Sequence, residues 1–357
     1  MSAKPEPPST ESLPKPPSGP SVWTGREMRD RTDWIGHMDT EALSRLEGKV
    51  DAFLSSGRPL AQMTASDMTD PALERLAGGW RQELLEGRGF LLVRGMPVGE
   101  WAHEKTAAAY FGLGLLMGAP RSQNAAGHLL GHVRDLGLST DDPRVRIYQT
   151  TERQTFHTDS CDVVGLLCLK TARTGGESAI VSSMAIYRAM YESRPDLLAQ
   201  LFHGFPTDRR GEIPPGKGPY FEIPVFNFYR GHLSAIYARR YITSAQKFDH
   251  ARRLRPLEIE ALDEFDRLAN DPEMNLKMEF RPGDMQFLHN HTILHDRLAY
   301  EDWPEAARKR HLLRLWLAVP GARPLPPVYA ERYGSVTLGD RGGIVVEGAS
   351  PTVPLHP

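Results

Sequence analysis

The chain has 357 residues, 40% of them hydrophobic, which is enough apolar material for a large core, and length alone allows one large domain or two small ones. A formal net charge of −2 and a pI near 6.7 give no long-range attraction to a polyanion. Nucleic acid is therefore excluded as the expected partner, and a small molecule takes its place. The longest central apolar run, Val163 to Leu169, is far short of the ~20 residues of a membrane span.

Residues 1–22 are rich in proline, with seven in the first twenty, and lack the apolar segment of a secretory signal. They are expected to be a disordered tail. Cys161 and Cys168 are the only cysteines, too few for a disulfide framework, so a reducing, cytoplasmic setting is expected. Residues 23–357 are expected to form a single domain.

Leu43, Leu46, Val50 and Phe53 recur at helical spacing between Thr40 and Leu54. Asp70-Pro71 opens a second amphipathic helix that carries Leu73, Leu76, Trp80 and Leu84 and ends at Gly87. Gly89 to Gly95 reads as a buried strand, and Trp101 to Met117 as a helix interrupted by Gly112 and Gly114. From about residue 145 to 320 short apolar runs alternate with Gly, Pro and Asp turns. Strands are expected at Arg146–Thr150, Val163–Lys170, Ser178–Ser182, Lys277–Phe280, Met285–His289 and His311–Val319. That cadence points to a mainly β fold with helical additions, a sandwich or jelly roll braced by the N-terminal helices. Helical insertions are expected at Met184–Tyr191 and Pro256–Ala269. Arg209–Pro224, with Gly and Pro throughout, reads as a mobile loop suited to be a lid.

Two segments carry the chemistry. Phe156-His157-Thr158-Asp159 places a histidine and an aspartate two apart, and in a strand such residues address the same face. With thirteen histidines in the chain, roughly one His-x-Asp arises by chance, so this pair alone is weak. His289-Asn290-His291-Thr292-Ile293-Leu294-His295 offers a third ligand, His295, after an apolar pair that enters a core. The competing assignment uses His289 and His291 as a cupin-like metal pair. Two histidines and a carboxylate cap one face of an octahedron and leave three positions for cosubstrate and dioxygen, as in non-haem iron(II) oxygenases. A dicarboxylic cosubstrate also needs a cation for its far end, and Arg310 and Arg314, four apart on a strand-like run of Leu and Trp, supply candidates.

At these residues the sequence resembles the taurine dioxygenase (TauD/TfdA-type) family of iron(II)/2-oxoglutarate oxygenases, from about Gly89 to Val319. The carriers are Gly89–Pro97, His157-Thr158-Asp159, Gly175-Gly176-Glu177-Ser178, Pro282-Gly283-Asp284, Asn290 through Arg297, and Arg310–Leu317. The resemblance implies a double-stranded β-helix with His157, Asp159 and His295 as iron ligands and Arg310 at the C5 carboxylate of 2-oxoglutarate. Ser178 stands where the family usually has Thr and still offers a hydroxyl to the cosubstrate. Arg314 matches a second arginine that serves either the substrate or the cosubstrate. Asp296 departs from a common Gly, and His289 and His291 match no family ligand.

The implied reaction consumes dioxygen and 2-oxoglutarate, releases succinate and carbon dioxide, and hydroxylates a small, carboxylate-bearing organic substrate, with desaturation or ring closure as other outcomes. Asp159 fills the position that a halogenase would leave for chloride. Gln149 and Asn124, with Arg314, are the substrate contacts expected from position, while His128 and His132 form a weaker candidate for a second metal site. Two other functions remain open at the level of sequence: a cupin-like metal protein built on His289 and His291, and a non-catalytic jelly-roll binding module. Homo-oligomer formation is likewise open.

Overall fold

The computed structural model describes residues 8–139, 145–344 and 348–357. Its centre is a jelly roll of two sheets. The larger runs in the order Ile35–His37, Phe90–Arg94, Met285–His289, Val163–Lys170, His311–Ala318 and Ala119–Pro120, and Leu130–Val133 also pairs with His311–Ala318. The smaller runs Asn275–Met278, Ser178–Ser182, Ile293–Arg297 and Gln154–His157. Neighbours in these sheets come from distant parts of the chain and pair antiparallel, apart from the parallel pair Ile35–His37 with Phe90–Arg94.

Alternation along the strands divides the apolar side chains between layers. Phe90, Val164, Leu288 and Trp316 from the larger sheet meet Ile180, Leu276, Met278 and Ile293 from the smaller one in a shared inner core. Leu91, Val93, Phe287 and Leu315 face the other way, against Leu46, Val50, Leu73 and Trp80 of the helices Thr40–Ser55 and Pro71–Leu85. Ala179, Val181 and Leu294 cover the smaller sheet's outer face together with Ile186, Leu198 and Phe265 of the helices Ser183–Ser193, Pro195–Gln200 and Pro256–Asn270. Each large side chain so buried contributes roughly 1.5–3 kcal/mol. Asp70 caps its helix as the sequence suggests, its carboxylate accepting from the Ala72 and Leu73 amides with Pro71 in the first position.

Four expectations need correction. Arg146–Thr150 is not a strand: Ile147–Gln149 forms a 3-10 turn, and the Gln149 side chain accepts from the Arg146 amide, an alternative to strand pairing. The helix His103–Met117 continues through Gly112 and Gly114, and a Cβ at Gly114 would lie 2.6 Å from Leu315 Cδ1. The glycine permits close approach of helix to sheet. The described part of residues 1–22 is packed: Leu13 is buried, Tyr187 donates to the Pro14 carbonyl at 2.6 Å, and Ser182 donates to the Ser21 carbonyl at 2.6 Å. Residues 1–7 of the expected tail lie outside the described residues. The Arg209–Pro224 segment is partly regular, since Tyr220–Ile223 pairs with Phe205–Asp208 as a hairpin whose connection faces the site. Among the described residues no helix is long and apolar enough to cross a membrane.

Candidate active site

His157 and His295 stand directly opposite each other on neighbouring antiparallel strands, and their ring centroids are 4.2 Å apart. Asp159 lies two residues beyond the end of the Gln154–His157 strand, in the turn rather than on the strand face. Its carboxylate nevertheless reaches both rings, with His157 Nε2 3.8 Å from Oδ1 and His295 Nε2 3.7 Å from Oδ2. Among the described residues these three form the group able to hold a metal ion, with one donor atom from each lying within 4.8 Å of the others.

The protonation states suit metal ligation. Burial would raise the Asp159 pKa, but Arg314, His295, His157 and a hydrogen bond from Trp316 together outweigh it and hold the carboxyl below its usual range. Burial, helped by His157 and Arg314, pushes His295 down to about 3, so that imidazole is neutral. His157 Nδ1 sits 2.8 Å from the Thr155 carbonyl, which assigns its proton there and leaves Nε2 as the lone-pair nitrogen. The Gln154 amide nitrogen lies 2.8 Å from that Nε2.

Asn290 is a positioning residue whose function the sequence motif did not reveal. Its Oδ1 accepts from the Asp159 amide at 3.0 Å, and its Nδ2 donates to the Asp159 carbonyl and, at 3.0 Å, to the Cys161 carbonyl. One side chain thus sets the turn that presents Asp159. Asp296, in place of the common glycine, sits at a register shift and accepts from Arg153 Nε at 2.9 Å and Nη2 at 2.6 Å. Cys161 is a buried member of the inner core rather than part of the triad.

Beside the histidines a pocket walled by Val133, Val164, Leu166, Phe280 and Leu312 contains Ser178 and Arg310. Arg310 is buried, its Nη2 donates to the Gly176 carbonyl at 3.3 Å, and its Nη1 is buried without a hydrogen-bond partner. Asp302 accepts from the Arg310 backbone amide at 2.7 Å. Ser178 Oγ lies 3.1 Å from Gln286 Nε2. A buried guanidinium with an unsatisfied donor at the end of an apolar slot fits a carboxylate, and an ion beside the paired imidazoles would sit within the same pocket lining.

Tyr148, Gln154, His157 and Arg314 line this pocket and also a larger cavity of about 830 Å³ including its mouth. Arg314 lies between the Tyr148 and Trp316 rings, 4.8 and 4.9 Å from their centroids. Its Nε donates to Gln123 Oε1 at 2.7 Å, and its Nη1 lies 3.7 Å from Asp159 Oδ2. The two other expected substrate contacts, Gln149 and Asn124, are not in the cavity lining, and their neighbours are. Gln149 caps its own turn and Tyr148 lines the cavity; Asn124 binds the Ala126 amide and His128, and Gln123 lines the cavity. Strand alternation could not resolve either case, because neither residue is on a strand.

The remaining histidines have other partners. His291 Nε2 meets Asp162 Oδ1 at 2.9 Å, His289 Nδ1 meets Thr292 Oγ1 at 3.0 Å, and burial lowers the pKa of both rings. Asp162 also receives Arg341, so His291 belongs to a fully buried ion cluster. His132 pairs with His311 at 2.8 Å, and His128 pairs with Asn124, so the two do not share a helical face.

Residues 56–316 match the taurine catabolism dioxygenase TauD, TfdA family. FR-33289 synthase of Streptomyces rubellomurinus is 30% identical over 88% of this chain and 94% of its own length. A taurine hydroxylase-like protein, SAT17, of Stachybotrys chartarum is 26% identical over 82% of this chain and 77% of its own. An asparagine oxygenase solved with Fe(II), a hydroxyasparagine and succinate superimposes with a TM-score of 0.59 at 16% identity, covering 80% of this chain and 93% of that one. With that match over most of the jelly roll, the chain belongs to the TauD/TfdA family and is an iron(II)- and 2-oxoglutarate-dependent dioxygenase.

Proposed function

We propose that His157, Asp159 and His295 hold the iron(II), that Arg310 and Ser178 bind the C5 carboxylate of 2-oxoglutarate, and that the larger cavity receives a small anionic substrate for hydroxylation. Bound iron(II) and 2-oxoglutarate, with dioxygen, supply the oxidant, and the cosubstrate leaves as succinate and carbon dioxide.

The observation that carries this reading is Arg310. Burying a guanidinium without an acidic partner is costly, and a bidentate carboxylate removes that cost. The apolar walls formed by Val133, Val164, Leu166, Phe280 and Leu312 lower the local dielectric around that pair and strengthen it. Asp159 contributes an ionised carboxylate, His295 a neutral ring, and Trp316 and Asn290 fix the angle of the carboxylate. Arg314 borders the substrate side beside the Tyr148 and Trp316 rings, and its positive charge favours a carboxylate or other anion on the substrate. Solved structures of similar fold hold succinate beside a hydroxylated amino acid, which supports hydroxylation of a small molecule. The buried free thiols of Cys161 and Cys168 agree with a reducing, cytoplasmic setting.

Succinate release from 2-oxoglutarate tests the reading. We expect release to require Fe(II) and to disappear in Asp159→Ala; release that persists without iron, or in that variant, would overturn it.

A further inference from the structure

We propose that the substrate carries a dianionic phosphoryl head, a phosphonate or phosphate monoester, gripped by Arg146 and Arg332 on the wall of the larger cavity. This rests on reading that cavity as the substrate site. Among the described residues its wall carries two carboxylates, Asp159 and Glu212, against several arginines. Arg239 is neutralised behind the wall by Asp263 at 2.7 Å and Asp266 at 3.0 Å. Even with Arg210 left out of the count, Arg146, Arg240, Arg314 and Arg332 exceed the carboxylates by two positive charges. Iron(II) and doubly charged 2-oxoglutarate cancel each other and Arg310 adds one further positive charge, so an excess of at least two stays with the substrate space. A dianionic substrate would offset most of it.

The geometry narrows the head group. Arg146 and Arg332 come from distant parts of the chain and approach the two oxygens of one carboxylate. Arg146 is paired with Glu212 Oε1, and Arg332 Nη1 lies 4.0 Å from Glu212 Oε2. The Arg332 Nε is fixed by donation to Ser160 Oγ at 2.5 Å. All three side chains are largely buried, at 17%, 15% and 12% exposure for Arg146, Arg332 and Glu212. Each guanidinium has five donor hydrogens in a planar fork, and Glu212 does not saturate them. A tetrahedral dianion presents three oxygens to two such forks, whereas a monocarboxylate brings two oxygens and half the charge. Glu212 is then the internal anion that keeps the forks aligned and partly competes with the substrate head.

The test uses the Fe(II)- and 2-oxoglutarate-loaded protein without oxygen, with propylphosphonate, butyrate and malonate as probes in calorimetry above the second phosphonate pKa. We expect propylphosphonate to bind at least about tenfold tighter than either carboxylate and to weaken about tenfold in Arg332→Gln. Glu212→Gln should tighten it, a direction that general damage to the fold does not produce. Equal affinity for butyrate or malonate, or phosphonate binding indifferent to Arg332→Gln, would overturn the proposal. In the same samples 2-oxoglutarate binding is measured separately, so a failure of the cosubstrate assignment shows as lost 2-oxoglutarate binding with Arg332-dependent phosphonate binding intact.

Discussion

Trp316 Nε1 donates to Asp159 Oδ2 at 2.8 Å, and this one bond ties the carboxylate of the triad to a strand of the opposite sheet. The geometry of the proposed metal site therefore depends on how the two sheets stack as well as on the ligand motif. Trp316→Phe keeps most of the apolar bulk and removes the donor. Iron(II) affinity should fall by about 10- to 100-fold, read by anaerobic titration; an unchanged affinity would show that Trp316 does not orient the ligand.

Gly176 sits at φ +78°, and a Cβ there would lie 3.1 Å from Arg310 Nε and 3.2 Å from Tyr300 Cβ. Gly176→Ala combines backbone strain of roughly 1–2 kcal/mol with pressure on the guanidinium. The KM for 2-oxoglutarate should rise about tenfold while iron stoichiometry stays at one. A loss confined to iron binding would place Gly176 in a different role.

His291 is held in the Asp162–Arg341 cluster, where all three side chains are fully buried. His291→Ala removes a buried hydrogen bond to Asp162, whose ion pair with Arg341 remains, and should cost about 1.5–3 kcal/mol of stability, visible as a lower Tm, with iron binding in the surviving folded fraction intact. The cupin-like assignment predicts the reverse, loss of metal with little change in Tm.

Burial, reinforced by His132, Arg134, His103 and Lys170, lowers His311 to about 3. The folded state keeps this ring neutral, whereas the unfolded chain protonates it below about pH 6.5. Its contribution is therefore complete above that value and is lost as pH falls toward 3, with a slope of about 1.4 kcal/mol per pH unit. Urea unfolding at pH 6.5 and pH 5 should differ by about 2 kcal/mol more in the wild type than in His311→Phe. Identical slopes would contradict the assignment.

The candidate ligands could be named from sequence because the His-x-Asp segment, the distal histidine and the arginine strand each sit in a recognisable local pattern. Val163–Lys170, Ser178–Ser182 and Met285–His289 were equally legible, since each is a short apolar run between turn residues. What the sequence could not give is register. The facing of His157 and His295, the Asn290 clamp on the Asp159 turn, and the Trp316 bond all join residues more than 125 positions apart. Gln149 and Asn124 fall outside the cavity lining for a related reason: they satisfy local backbone groups in turns, which strand periodicity does not describe.

The affinity of the iron-loaded protein for 2-oxoglutarate, measured without oxygen in wild type and Arg310→Ala, bears most directly on the central claim. One equivalent should bind to the wild type, and affinity should drop by about a hundredfold in the variant, with one iron still bound. Equal affinity in the two proteins would contradict the assignment of Arg310 and, with it, the orientation of the cosubstrate across the triad.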